Sequence, residues 1–208
     1  MNLQNLFELQ KQLDEHIEKI HPRQEGEDRL AKKILALQVE LAECAQESRC
    51  FKYWSHNQEP RLKGYKEIKC KWCNGSGDDG SGVCPDCKCE GYVYKEYNPL
   101  LEEYVDCLHF ILSIGLELGM DEIADELDLK KFDFLTSNTI LSCFIGLSYD
   151  IADFYYQREN DDMVPYLYEH ILLEFAKLGK MLGFTWDEIE QGYLNKNNIN
   201  HQRQESGY

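Results

Sequence analysis

Outside one cysteine-rich stretch, the apolar residues of this chain recur at steps of three and four and nowhere alternate, so its body reads as helices packed on one another. Leu3, Leu6, Leu13, Ile17 and Ile20 predict a first amphipathic helix, closed by a turn at Pro22 and Gly26. A second should run from about Asp28 to Trp54, with Ile34, Leu37, Leu41 and Cys44 as its buried stripe. A third starts near Pro99, a residue tolerated in a first turn because its missing N–H would have no helical partner there. It continues through Tyr104, Leu108, Ile111 and Leu112 to about Leu118, with Gly119 as its stop. Further helices are predicted over Ser137 to Tyr156 and Pro165 to Leu182, and a last one opens at Thr185, whose spacing to Glu188 fits a capping box. The tail from Asn195 is polar and asparagine-rich, and by composition alone it reads as a frayed end.

With 208 residues and 43% hydrophobic content, the chain can bury a sizeable core without disulfides. Its 38 acidic residues against 22 basic ones leave a net charge of -16, which argues against sequence-independent binding to a nucleic-acid backbone. Nine cysteines would suit a disulfide framework in a secreted chain. The opening MNLQNLFELQKQLDEH, however, lacks the basic start and apolar stretch of a signal peptide, so a reducing cytoplasmic setting is expected. The most apolar stretch, CLHFILSIGLELGM, carries His109 and Glu117 and is too short for a membrane span.

The composition changes abruptly from about Gly64 to Asn98, a segment that holds five of the nine cysteines and reads as an inserted module, 64–98, within a body of 1–63 and 99–208. Cys70-x-x-Cys73 and Cys84-x-x-Cys87 are thiolate pairs ten residues apart, a spacing suited to a closed, structural Zn²⁺ site. Redox chemistry is the competing reading of paired thiols. With Gly75, Gly77 and Gly91, the two units resemble halves of the zinc module of DnaJ-type chaperones, although Cys89 stands where the second unit should have its first glycine. Trp72, Tyr92, Tyr94 and Tyr97 offer an interaction surface. Six lysines between Lys63 and Tyr97 are offset by six acids, so charge does not select nucleic acid as the partner. A stapled loop is the plainer alternative.

Glu40, Glu43 and Glu47 fall within an arc of roughly 60° on the second helix, and Glu103 and Asp106 repeat the three-residue step on the third. Like charges so placed repel unless something positive compensates. Oxygen ligands of this kind suit Mg²⁺ or Mn²⁺. A single Glu pair at helical spacing is more often a solvated face; two pairs on adjoining helices point to a shared site.

Glu40-Leu-Ala-Glu43 followed by Glu103-Tyr-Val-Asp106 resembles the ExxE and ExxD signature of all-α NTP pyrophosphatases, in which the four acids bind catalytic magnesium. Within that group the chain is more similar to the dimeric dUTPase family than to the MazG-type branch. The likeness is carried by LQKQLDEHI at 9–17, KILALQVELAECAQESRCFKYWS at 33–55, LLEEYVDCLHFILSIGLELG at 100–119 and YLNKNNINHQRQESGY at 193–208. The last stretch resembles the family's closing motif, which supplies phosphate and nucleotide contacts and so displaces the frayed-end reading.

The resemblance implies a homodimeric all-α bundle cleaving dUTP, and also dUDP, to dUMP. Glu40, Glu43, Glu103 and Asp106 would be the Mg²⁺ ligands and Glu40 or Glu47 the general base, with Glu40 preferred. Lys196 and Arg203 would meet phosphate oxygens, while Gln10, Trp54 and Asn200 would lie at or near the base. For Trp54 a helix-end core position is the alternative, and Asp14 falls in the first nucleotide-site motif. Two further readings stay open: a related enzyme preferring dCTP or another nucleotide, and an interaction protein binding a regulatory partner through the insert.

Overall fold

In a computed structural model, residues 2–124, 139–160 and 162–207 are described. They form six α-helices and one two-stranded sheet: α1 (Leu3–Ile20), α2 (Arg29–Ser48), β1 (Gly64–Lys69), β2 (Tyr92–Tyr97), α3 (Pro99–Glu117), α4 (Ile140–Gln157), α5 (Val164–Met181) and α6 (Trp186–Glu205), with a 3₁₀ turn at Met120–Ile123. The fold is thus mostly helical, as the periodicity predicts. By their contacts the residues divide into two compact units, Met1–Pro60 with Leu100–Tyr208, and Arg61–Pro99.

In the helical unit, α3 is the buried element. Leu100, Tyr104, Leu108, Ile111 and Leu112 are all shielded from water, as are Val105, Cys107 and Ile114 on its other faces. A helix enclosed on nearly every side must be apolar nearly all round. Two buried tyrosines tie it to α5: Tyr104 stacks on Phe175 at 4.2 Å and donates to the Phe175 carbonyl, and Tyr168 donates to the Ile111 carbonyl. Gly115 and Gly179 make room for those rings, since a Cβ at either position would overlap a tyrosine hydroxyl.

Around this axis α4 packs on α2 and α5, and α6 on α1. Asn2, Asp28, Thr139 and Thr185 cap their helices by accepting from a backbone N–H three residues on. At Thr185 the reciprocal bond from Glu188 completes the predicted capping box. The first two residues of the helix predicted from Ser137 lie outside the described residues; the described helix starts at Ile140.

One sequence expectation is corrected, and of the two readings of the tail the frayed end is the one that fails. Helix α2 stops at Ser48 instead of reaching Trp54. Arg49 takes a left-handed backbone (φ 59°), and its buried guanidinium donates to the Asn57 carbonyl and the Ser55 hydroxyl. That cap turns the chain into the tight turns holding Phe51, Tyr53 and Trp54. The tail is not frayed: α6 runs to Glu205, anchored by buried Ile189 and Tyr193 and by Asn197 donating to the Leu9 carbonyl. His16 and His201 stack beside this seam with their Nδ1 atoms 2.8 Å apart. Tyr208 lies outside the described residues.

In the smaller unit, β1 and β2 pair antiparallel from Gly64↔Tyr97 to Lys69↔Tyr92, and the four cysteines lie in the chain between them. The two cysteine units mirror each other. Asn74, Gly75 and Gly77 have φ of 49°, 83° and 78°, and Lys88, Cys89 and Gly91 repeat this at 51°, 78° and 79°. Cys89 thus occupies the glycine position of the second unit in the glycine's own left-handed conformation.

Candidate active site and metal clusters

The helical unit encloses a cleft of about 980 Å³. Four helices line it: α1 with Gln10 and Asp14, α2 with Lys33 and Glu40, α3 with Asp106, His109, Ser113 and Glu117, and α6 with Lys196, Asn200 and Arg203. The α3 set explains how polar groups reach so apolar a helix: at steps of three and four they share the one face that the core leaves to the cavity.

Glu40 and Glu43 of α2 and Glu103 of α3 bring one carboxylate oxygen each within 4.8 Å of one another, a set able to hold a metal ion. Burial and the repulsion of Asp106 and Glu43 push both Glu40 and Glu103 up to about 7. Half-buried like charges of this kind call for a compensating cation, and a purely oxygen donor set suits a hard divalent one. Asp106 stands outside the triplet. Its Oδ2 accepts from Lys196 Nζ at 2.5 Å, and Lys196 also donates to Glu102 at 3.2 Å. Burial works against the lysine's charge, but the two acids outweigh it and hold its pKa above the usual value. Glu47, a further turn along α2, is also outside the triplet.

Of the residues assigned to the nucleotide, Gln10, Lys196, Asn200 and Arg203 line the cleft, and Arg203 reaches the Asn200 side chain at 3.4 Å. Trp54 does not line it; it is exposed in the turns after α2, edge-on to Phe51 and Tyr53. Gln10 is buried, and both of its amide atoms are already bonded within the protein. Nε2 donates to Asp14 at 2.6 Å, and Oε1 contacts the Tyr193 hydroxyl at 2.9 Å and His109 Nδ1 at 2.8 Å.

Sequence reasoning missed His109, Ser113, Lys33 and Tyr193. Asp14 Oδ2 accepts from Ser113 Oγ at 2.5 Å and from Lys33 Nζ at 3.2 Å, and Lys33 also meets Glu117, itself paired to Arg23. These cations hold the Glu117 carboxyl below its ordinary range despite the opposing effect of burial. The signal for His109 and Ser113 was present in the sequence: Glu103, Asp106, His109, Ser113 and Glu117 continue one polar stripe along a helix whose remaining residues, Glu102 apart, carry no charge.

In the smaller unit the sulfurs of Cys70, Cys73, Cys84 and Cys87 lie within 4.8 Å of one another, all buried. Cys70 and Cys84 are 3.8 Å apart, and Cys73 and Cys87 are 3.5 Å apart. Four thiolates at Zn–S distances of about 2.3 Å would stand about 3.8 Å from each other, so the cluster is suited to zinc. The Gly77 and Gly91 N–H groups donate to Cys73 and Cys87 sulfurs at 3.2 Å, giving thiolates the partners they need. Cys89 is exposed and outside the cluster.

No helix among the described residues is long and apolar enough to cross a membrane. No curated protein and no solved structure matches the chain. A protein-family model described as dUTPase matches residues 2–68 and 93–208, which include all of α2, α3 and α6 and leave out the cysteine segment 69–92. This mostly helical chain therefore belongs to the dUTPase family and has a dUTPase-like nucleotide pyrophosphohydrolase function.

Proposed function

We propose that the chain is a Mg²⁺-dependent dUTP diphosphatase that hydrolyses dUTP, and also dUDP, to dUMP as a homodimer. Its catalytic domain would be formed by 1–63 and 99–208, with 64–98 as an inserted module whose Zn²⁺ is structural. The observation that carries this reading is the meeting of Glu40, Glu43 and Glu103 with the Asp106–Lys196 pair, where Glu40 and Asp106 border a cleft large enough for a nucleotide.

Glu40, Glu43, Glu103 and Asp106 are the residues that would hold magnesium. When bound, the metal supplies charge neutralisation for the phosphate chain and activation of the attacking water. Glu40 is the preferred general base. Of the acids placed to receive a proton it lines the cleft, whereas Glu47 does not. Arg203 brings a cation to the same wall, in reach of phosphate oxygens. Lys196 holds the Asp106 carboxylate in place, and the cation it already carries would be shared with an arriving phosphate.

A panel of deoxy- and ribonucleotides with pyrophosphate detection tests the assignment. Preferential Mg²⁺-dependent cleavage of dUTP supports it, preference for dCTP moves the chain to a related specificity, and no turnover of any nucleotide refutes it. An interaction role for the insert is tested separately, by partner capture with and without residues 69–92.

A further inference from the structure

The proposed reaction leaves the buried cleft residue His109 without a role. His109 sits one turn beyond Asp106 on α3, is 5% exposed, and lies flat against the Tyr193 ring with centroids 4.1 Å apart. Its Nε2 is buried and has no hydrogen-bond partner among the described residues, although the residue lines the cleft. A buried polar atom left this way carries its full desolvation cost unless a ligand meets it.

The surrounding bonds determine what kind of atom Nε2 is. Asp14 takes a lysine ammonium and a serine hydroxyl on Oδ2, so it is a carboxylate and can only accept. Gln10 must therefore turn its NH₂ toward Asp14, which leaves its Oε1 facing the Tyr193 hydroxyl and His109 Nδ1. An amide oxygen cannot donate, so the proton of that contact belongs to His109 Nδ1. Burial and the charge of Lys196 push the imidazole down to about 3, against a smaller opposing contribution from a backbone hydrogen bond with Tyr193, so the ring stays neutral. Nε2 then presents a lone pair, and the ring can neither rotate nor change tautomer without breaking the Gln10 contact.

We propose that His109 Nε2 accepts a hydrogen bond from the ring N–H of a uracil-type base and is a specificity-determining residue of the site. The inference rests on the nucleotide pyrophosphohydrolase reading above. A sugar hydroxyl can turn to donate or accept and gains little from an acceptor whose direction is fixed in advance. A ring nitrogen cannot turn: N3 of uracil carries a proton, while N3 of cytosine carries a lone pair that would face the lone pair of Nε2. The place also fits. His109 is about 9 Å of helix rise beyond Glu103, so a nucleotide with its phosphates at the carboxylates brings its nucleoside alongside. Gln10, whose amide is bonded to Asp14, His109 and Tyr193, acts through His109 by fixing its tautomer.

The test is ¹⁵N NMR of histidine-labelled full-length protein, with Mg²⁺ and non-hydrolysable α,β-imido nucleotides. The free protein should show His109 protonated at Nδ1 and unprotonated at Nε2. Imido-dUTP, with or without its 3′-hydroxyl, should shift the Nε2 resonance, and imido-dCTP should not. In parallel, His109→Phe keeps a ring against Tyr193 but removes the acceptor; kcat/KM for dUTP should fall about 10- to 100-fold, with the dUTP-over-dCTP preference falling by a similar factor. An Nε2–H tautomer, an equal response to imido-dCTP, a response that needs the 3′-hydroxyl, or an unchanged preference in the variant overturns the inference while leaving the reaction intact. A wild-type protein that cleaves and binds no nucleotide overturns both. If His109→Phe does not fold, the wild-type spectra decide.

Discussion

The mirrored cysteine units allow a prediction whose size follows from backbone geometry. A Cβ on Gly77 would stand 2.5 Å from the Cys89 carbonyl oxygen, and one on Gly91 equally close to the Gly75 carbonyl oxygen. Both obstacles are backbone. Gly77→Ala or Gly91→Ala therefore adds a left-handed alanine, costing about 1.5 kcal/mol, and forces apart the strands of the knuckle that aim an N–H at a thiolate, a further ~1.5 kcal/mol. Together these weaken zinc retention about a hundredfold, at 1.4 kcal/mol per decade. At Gly75 the Cβ meets only the Lys69 side chain, whose end can swing away, so Gly75→Ala should cost about tenfold from the backbone alone. Cys89→Gly runs the other way: it relieves a left-handed cysteine, is partly offset by the freer unfolded chain, and should tighten zinc binding by about threefold. Competition between the full-length protein and a colorimetric chelator measures all four. Equal losses for Gly77→Ala and Gly75→Ala would refute the steric argument, and weaker binding by Cys89→Gly would mean that Cys89 is a ligand.

Glu43→Gln and Asp106→Asn should each abolish nucleotide turnover while leaving the far-ultraviolet circular dichroism of the helices unchanged; near-normal activity would remove that residue from the metal site. In metal-free protein, Glu40 and Glu103 bind protons more tightly folded than unfolded, so their contribution is greatest below about pH 4.5 and is lost as pH rises through about 7. Tm should accordingly fall from about pH 5.5 to 8, and Mg²⁺ should raise it more at the upper end, which differential scanning fluorimetry would read. Gly115→Ala should destabilise the protein by about 1–3 kcal/mol in urea unfolding, because overlap with Tyr168 and Phe7 outweighs the better helix propensity of alanine. Replacing residues 69–92 by Asn-Gly, a two-residue hairpin turn, should remove zinc and keep nucleotide hydrolysis; lost hydrolysis in a folded variant would give the insert a catalytic part.

The helices were legible wherever one face had to be buried, because a 3.6-residue period leaves a sequence trace that no local chemistry erases. The end of α2 was not. Helices commonly stop at a glycine, and here the left-handed position falls to Arg49, whose guanidinium contacts lie eight residues ahead at Asn57. The tail misled by composition for a related reason. The asparagines and Lys196 of α6 suggest solvent, but Lys196 is buried against Asp106, ninety residues away. The carboxylates were visible as pairs on each helix, whereas their unequal roles were not. Three converge and Asp106 pairs with lysine, a division set by tertiary packing. His109 was the informative omission: on a helix buried all round, a histidine that keeps to the polar stripe needs a cavity to face.

The sheet register shows how a sulfur site can be carried within a dUTPase-family chain without rewriting the helices. The family match stops at Ile68 and resumes at Val93, and these two residues are direct partners in the β1–β2 pairing. Paired residues on antiparallel strands stand about 5 Å apart, so a connection of two residues could replace the 24-residue excursion 69–92, at the cost of the terminal Lys69↔Tyr92 pair, and leave the ladder from Gly64↔Tyr97 to Ile68↔Val93 in place. The excursion brings its own source of stability, since four thiolates around one metal can order a segment with almost no apolar core. Its buried cluster is the four cysteines with only Val93 packed against them. The two donor sets therefore answer different demands. Sulfur closed on all sides stabilises a fold and leaves no place for a substrate, whereas half-buried carboxylates pushed up to about 7 by burial and by one another repel until a proton or a cation neutralises them.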